Sequence, residues 1–179
     1  MPTTDPQTIL IVDDHPLFRK GVIQLIQAAP EFRFIGEAAS GSEGIALAHR
    51  LHPDMILLDL NMKDMNGVEV LKAIKDGGLD SRVIMLTVSD QAEDLMAALQ
   101  AGADGYLLKD MEPEDLMQQL AEAARGKITI SERLTQLLVA SLREKSRPTS
   151  INEAGLTEQE NRILDHLVDG KSNKLIARD

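Results

Sequence analysis

The chain predicts an α/β fold, a five-stranded doubly wound parallel sheet with helices on both faces. Three observations point to it. Short apolar runs alternate five times with segments of helical period. Some runs are unbroken, as in Met-Ile-Leu-Leu at 55–58, the pattern of a strand buried on both sides. The runs also end in carboxyl, hydroxyl or amine side chains, and open α/β sheets place their ligands at the carboxyl ends of strands.

Residues 8–12 form the first strand, tipped by Asp13 and Asp14. Pro16 suits the first turn of a helix, where its missing N–H costs nothing, and Leu17, Phe18, Val22, Leu25 and Ile26 give that helix its apolar stripe. Pro30 ends it. Residues 32–38 read as a second strand, Ser40-Gly41 as a break, and 43–51 as a helix closed by Pro53. The strand at 55–58 delivers Asp59, and Asn66-Gly67 punctuates the turn after it. A helix over 68–75 stops at Gly77-Gly78. The strand at 82–86 is tipped by Thr87, and a helix over 91–101 is stopped by Gly102. The strand at 104–108 is tipped by Lys109, and Pro113 opens a helix that ends at Gly126.

The alternation stops there. Residues 1–126 form one domain, and 127–155 a linker containing an amphipathic helix at 131–145. The stretch at 146–155 has the Ser, Pro, Thr, Asn and Gly content of a loose connection. Thr157 to Glu160 is a capping-box pattern opening a helix through Val168, and Gly170 and Ser172 end it and cap another. Residues 156–179 therefore read as the front of a helix-turn-helix.

Composition bounds the function. The chain has 179 residues, 43% of them apolar, with no Trp and no Cys, so the core is aliphatic and thiol chemistry is excluded. No run approaches the roughly 18 apolar residues of a membrane span, and the start has no signal character, so a cytoplasmic protein is expected. The net charge is −10. Residues 127–179 hold nine Lys/Arg and eight Asp/Glu, leaving ten basic and 21 acidic side chains in the first 126 residues. Such an acidic body is no nucleic-acid surface. Lys171, Lys174 and Arg178 in the tail are candidate DNA-phosphate contacts, and equally a solvated helix face.

Asp13, Asp14, Asp59, Thr87 and Lys109 come from four strand ends, which share one edge of a doubly wound sheet. Clustered carboxylates raise one another's pKa, and a hard cation such as Mg²⁺ relieves them. A carboxylate can act as nucleophile and form an aspartyl phosphate. Lys109 offers a point charge, and Thr87 a hydroxyl, for phosphoryl oxygens. His15 reads as a polar residue at a helix start, and the histidines at 15, 49, 52 and 166 show no metal-ligand spacing. Met55, Met62 and Met65 read as packing.

Together with Tyr106, three residues before Lys109, this set resembles the receiver domain of two-component response regulators. Asp13-Asp14-His15-Pro16, the run from Gly102 to Met111, Leu156-Thr157 and the run from Ser172 to Arg178 resemble the NarL/FixJ branch, which carries a LuxR-type helix-turn-helix. Residues 102–116 and 140–143 are similar to its nitrate/nitrite-responsive members. The resemblance implies a CheY/flavodoxin-like receiver with Asp59 as phosphoacceptor. It implies Mg²⁺ held by Asp14, Asp59 and the Asn61 carbonyl, with Asp13 acting through water. It also implies a switch in which Thr87 moves toward the phosphate and the Tyr106 ring turns inward. The implied partners are a sensor histidine kinase, a second copy on phosphorylation, and DNA through a complete C-terminal domain. Lys63, Val88 and Asp110 stand where the family commonly has Pro, Ala or Ser, and Pro. The recognition and dimerisation helices would follow Asp179, so no specific DNA binding is expected of these 179 residues.

Two other readings stay open. A receiver could act only through protein partners. A Mg²⁺-dependent phosphatase could use the same aspartyl intermediate, but Asn61, two residues after Asp59, has no proton to donate, so no enzymatic turnover is expected.

Overall fold

The computed structural model describes residues 5–145. The helix-turn-helix reading of 156–179, with Lys171, Lys174 and Arg178, lies outside the described residues. The element order is β1 (Gln7–Val12), α1 (Pro16–Ala28), β2 (Phe32–Ala38), α2 (Gly41–Leu51), β3 (Met55–Leu58) and α3 (Gly67–Asp76). It continues with β4 (Arg82–Thr87), α4 (Ala92–Gln100), β5 (Gly105–Leu108), α5 (Pro113–Ala124), β6 (Thr129–Ile130) and α6 (Glu132–Lys145).

One parallel sheet runs in the order β2-β1-β3-β4-β5-β6. Alternate residues of its strands face two apolar layers. Leu10, Val12, Ile56, Leu58, Val83, Met85, Tyr106 and Leu108 join Ala48, Val70, Leu71, Ile74, Leu95, Ala98, Leu99, Leu134 and Leu138, from α2, α3, α4 and α6. Ile9, Ile11, Met55, Leu57, Ile84, Leu86 and Leu107 face the other way, onto Val22 and Ile26 of α1 and Leu116, Leu120 and Ala123 of α5. Covering both faces explains why the strands lack polar alternation. Each fully buried Ile or Leu stabilises the fold by about 1.5–3 kcal/mol.

The expected sheet of five strands is corrected to six. Thr129 pairs with Gly105, and Ile130 with Tyr106. A two-residue strand has no period to detect. It fits because β5 begins with glycine: a Cβ on Gly105 would stand 2.5 Å from Thr129 Oγ1. The sheet thus continues past Gly126, and α6 follows it directly with Leu134 and Leu138 in the core.

Helix starts also differ from the sequence reading. α2 begins at Gly41 because Ser40 is its N-cap, its hydroxyl accepting from Glu43 N–H. Asn66 caps α3 in a capping box with Glu69, and Gly67 is already helical. In α1 the apolar stripe begins at Phe18, since Leu17 in the first turn is 87% exposed.

At the amino ends of the strands, Thr8 donates to Asp54 Oδ2 through its N–H (2.8 Å) and its hydroxyl (2.7 Å), fixing β1 against β3. These two bonds hold the Asp54 carboxyl below its usual range.

Candidate functional site

The strand register carries the polar residues to one edge. Asp59 follows the last residue of β3, and its N–H still donates to the Val12 carbonyl at 2.9 Å. Asp13 N–H donates to the Ala38 carbonyl at 3.0 Å, and Lys109 N–H to the Thr87 carbonyl at 2.8 Å. Each side chain is therefore set by a backbone that the ladder holds, and loop conformation hardly enters. Gly67 closes the edge from behind. Its N–H donates to the Leu60 carbonyl at 2.7 Å, and a Cβ there would stand 2.3 Å from the Asp59 carbonyl oxygen.

Asp13, Asp14, Asp59 and Lys109 come together as expected. Lys109 Nζ lies 2.7 Å from Asp13 Oδ2 and 3.0 Å from Asp59 Oδ2, and sits over the Phe18 ring, 4.7 Å from its centroid. All three of these charged side chains are at most 7% exposed. Burial pushes the Asp59 carboxyl above its usual range, the Lys109 bond and charge oppose this, and the Asp13 charge adds to it. The loop after β3 is tied to the acids by backbone: Asn61 N–H donates to Asp59 Oδ1 at 3.4 Å, and Lys63 N–H to Asp14 Oδ2 at 3.1 Å. A cleft of about 420 Å³, lined by Asp14, His15, Asn61, Lys63, Asp64 and Glu69 among others, opens onto this group. A larger one, about 620 Å³, lies by Asp54 and Arg82 at the amino ends of the strands, away from the acids.

His15 is the member that sequence reasoning missed. Its Nδ1 stands 3.1 Å from Asp13 Oδ1, 3.0 Å from Asp14 Oδ1 and 3.4 Å from Asp59 Oδ2. These four residues can present ligand atoms within 4.8 Å of one another. A search for spacing between histidines could not find this, because the partners are carboxylates from two strands. The available signal was adjacency to Asp13-Asp14 at a strand tip.

The donor set fits a hard divalent cation. Asp14 Oδ1 is buried with only the His15 ring nitrogen near it, and Asp59 Oδ2 has the Lys109 ammonium at 3.0 Å and the His15 ring at 3.4 Å. Three carboxyl groups face one lysine, an imbalance that a cation offsets.

Thr87, buried at the end of β4, is turned along its own loop, its hydroxyl accepting from Ser89 N–H at 3.1 Å. The Tyr106 ring is buried in this structure. The phenol donates to the Ser89 carbonyl at 3.2 Å, and Leu134 and Leu138 share its apolar cluster. Burial above all pushes this hydroxyl up to about 12.

Residues 9–121 match the response regulator receiver domain. The chain is 49% identical over 178 residues to the nitrate/nitrite response regulator protein NarL of Escherichia coli (strain K12), an alignment covering 99% of this chain and 82% of that one. Among solved structures, a LuxR-family two-component response regulator from Aurantimonas superposes with a TM-score of 0.74 at 28% identity, covering 77% of this chain and 99% of that one. RcsB from Salmonella enterica serovar Typhimurium, bound to a promoter in the presence of phosphomimetic BeF3-, superposes with a TM-score of 0.71 at 25% identity, covering 80% of this chain and 72% of that one.

Proposed function

Since this chain belongs to the response regulator family, with its receiver domain at residues 9–121, we propose that Asp59 accepts a phosphoryl group from a sensor histidine kinase and so controls transcription. The observation that carries this is the Asp59 carboxyl itself. It is 2% exposed, pushed up by burial, and in contact with Lys109 from a strand two places away.

An Asp59 carboxylate oxygen attacks the phosphorus of a phosphohistidine, the P–N bond breaks, and the nitrogen keeps its electron pair. Lys109 holds the nucleophile in place and then meets the charge of the new phosphoryl oxygens. The Thr87 hydroxyl leaves Ser89 N–H and donates to one of those oxygens. Mg²⁺, held by Asp14, Asp59 and the Asn61 carbonyl, with Asp13 acting through water, would supply positive charge that offsets the repulsion between carboxylate and phosphate. Asn61 can act neither as general acid nor as general base at neutral pH, so it neither protonates the leaving group of an external phosphoester nor activates water against the aspartyl phosphate, which hydrolyses slowly without external turnover.

The relative at 49% identity is a nitrate/nitrite response regulator, which supports nitrate or nitrite as the signal here. The promoter-bound relative supports DNA as the target of the complete C-terminal domain, and we add a homodimer formed on phosphorylation to the same reading. Among the described residues no helix is long and apolar enough to cross a membrane, and we place the protein in the cytoplasm. The test is intact mass after incubation with acetyl phosphate and Mg²⁺. The wild type should gain one phosphoryl group and Asp59→Asn none; equal gain in both would sink the reading.

A further inference from the structure

Phosphate handling leaves the start of α6 without a role. Ser131 N–H, just past β6, donates to the Tyr106 carbonyl at 3.3 Å, so the start of α6 is tied to the neighbouring strand, which carries the buried phenol. Leu134 and Leu138 then enter the apolar cluster of Leu95, Ala98, Leu99 and Tyr106. Beside them Arg133, with a side chain 63% exposed, forms an ion pair with Asp90 and stands 4.0 Å from Asp110. Asp90 lies three residues past Thr87, and Asp110 directly follows Lys109. One guanidinium from α6 therefore spans the two loops that bring phosphate-binding groups to Asp59.

The Asp90 loop is also held by groups of the switch. Ser89 N–H donates to Thr87 Oγ1, the Tyr106 hydroxyl donates to the Ser89 carbonyl, and the Ser89 hydroxyl donates to Asp94. When the Thr87 hydroxyl turns toward phosphate, Ser89 N–H loses its acceptor, and the loop carrying Asp90 loses an anchor one residue before Asp90.

We propose that the Arg133–Asp90 pair is a latch that biases α6 to stay seated on α4 in the unphosphorylated chain, and that phosphorylation releases it. The seat itself is apolar, and the exposed pair is only a bias. An exposed ion pair shifts an equilibrium by a factor of about two to five and is screened by salt. A weak latch suits a switch, because a small loop movement suffices to open it. The trigger rests on the Asp59 reading; the latch can be measured without phosphate.

The experiment is amide hydrogen exchange of the peptide covering α6, in the full chain, with phosphorylation followed separately by intact mass. Without phosphate, Arg133→Ala and Asp90→Arg should each speed exchange in α6 by about two- to fivefold at low salt. The charge-swapped double variant Arg133→Asp/Asp90→Arg should return it to the wild-type rate. With acetyl phosphate and Mg²⁺, the wild type should rise to the Arg133→Ala level, and Arg133→Ala should rise no further. Wild-type exchange in both single variants, or no recovery in the double, overturns the latch. Unchanged α6 exchange in wild type carrying phosphate overturns the trigger. If no phosphate is incorporated, the Asp59 reading fails with its trigger, and the single and double variants still decide the latch.

Discussion

Lys109 Nζ lies 3.0 Å from Asp59 Oδ2 although β4 separates the strands that end in these two residues. The contact therefore needs a side chain long enough to reach past the intervening strand. With Asp13 at 2.7 Å, the ammonium is the buried cation among three carboxyl groups.

Removing it should be costly. Lys109→Ala leaves buried carboxylates uncompensated, and breaking such a pair costs about 3–5 kcal/mol. Urea unfolding in EDTA should show that loss, and Mg²⁺ should recover part of it. A midpoint unchanged in EDTA would mean the acids are neutralised in some other way.

Asp59→Asn should have the opposite sign. The folded pKa of Asp59 lies above its ordinary value of 3.8, so the folded state holds this proton more tightly than the unfolded chain. Its favourable contribution is complete below the unfolded pKa and is lost as pH rises through the folded one. At pH 7 the ionised carboxylate is thus a cost that Asn removes. In EDTA the variant should melt higher than wild type, and the gap should narrow as pH falls through the raised pKa. Mg²⁺ should raise the wild-type Tm more than that of the variant. A variant that melts lower at neutral pH in EDTA would contradict the burial argument.

Gly67→Ala tests the close approach behind Asp59. The new Cβ would meet the Asp59 carbonyl at 2.3 Å and Leu60 Cα at 2.7 Å, both backbone atoms that cannot swing aside. Overpacking of this kind costs about 1–3 kcal/mol. Thermal melting should fall and labelling by acetyl phosphate should slow, because the displaced segment carries the nucleophile. Labelling at the wild-type rate would mean that the edge tolerates a shift.

The site was legible because its residues are strand tips. Runs ending in Asp13, Asp59, Thr87 and Lys109 stand out without knowledge of side-chain direction, and parallel topology does the rest. What stayed hidden depended on packing between distant elements. β6 is two residues long and is specified by contact with Gly105. Leu134 and Leu138 of α6 share the cluster that holds the Tyr106 ring, and the pattern at 131–145 shows an apolar stripe but not the surface that receives it. His15 joins the acids through the β1–α1 turn, and Leu17 follows a helical period yet points to solvent in the first turn.

The central claim is that one side chain, Asp59, carries the phosphoryl group. Acyl phosphates are reduced by borohydride to alcohols, so an aspartyl phosphate becomes homoserine where it formed. After acetyl phosphate, Mg²⁺ and borohydride, peptide mapping should find homoserine at position 59 alone, and none when Mg²⁺ is withheld. Homoserine at position 13 or 14, or its absence from 59 in protein whose intact mass had gained a phosphoryl group, would contradict the account.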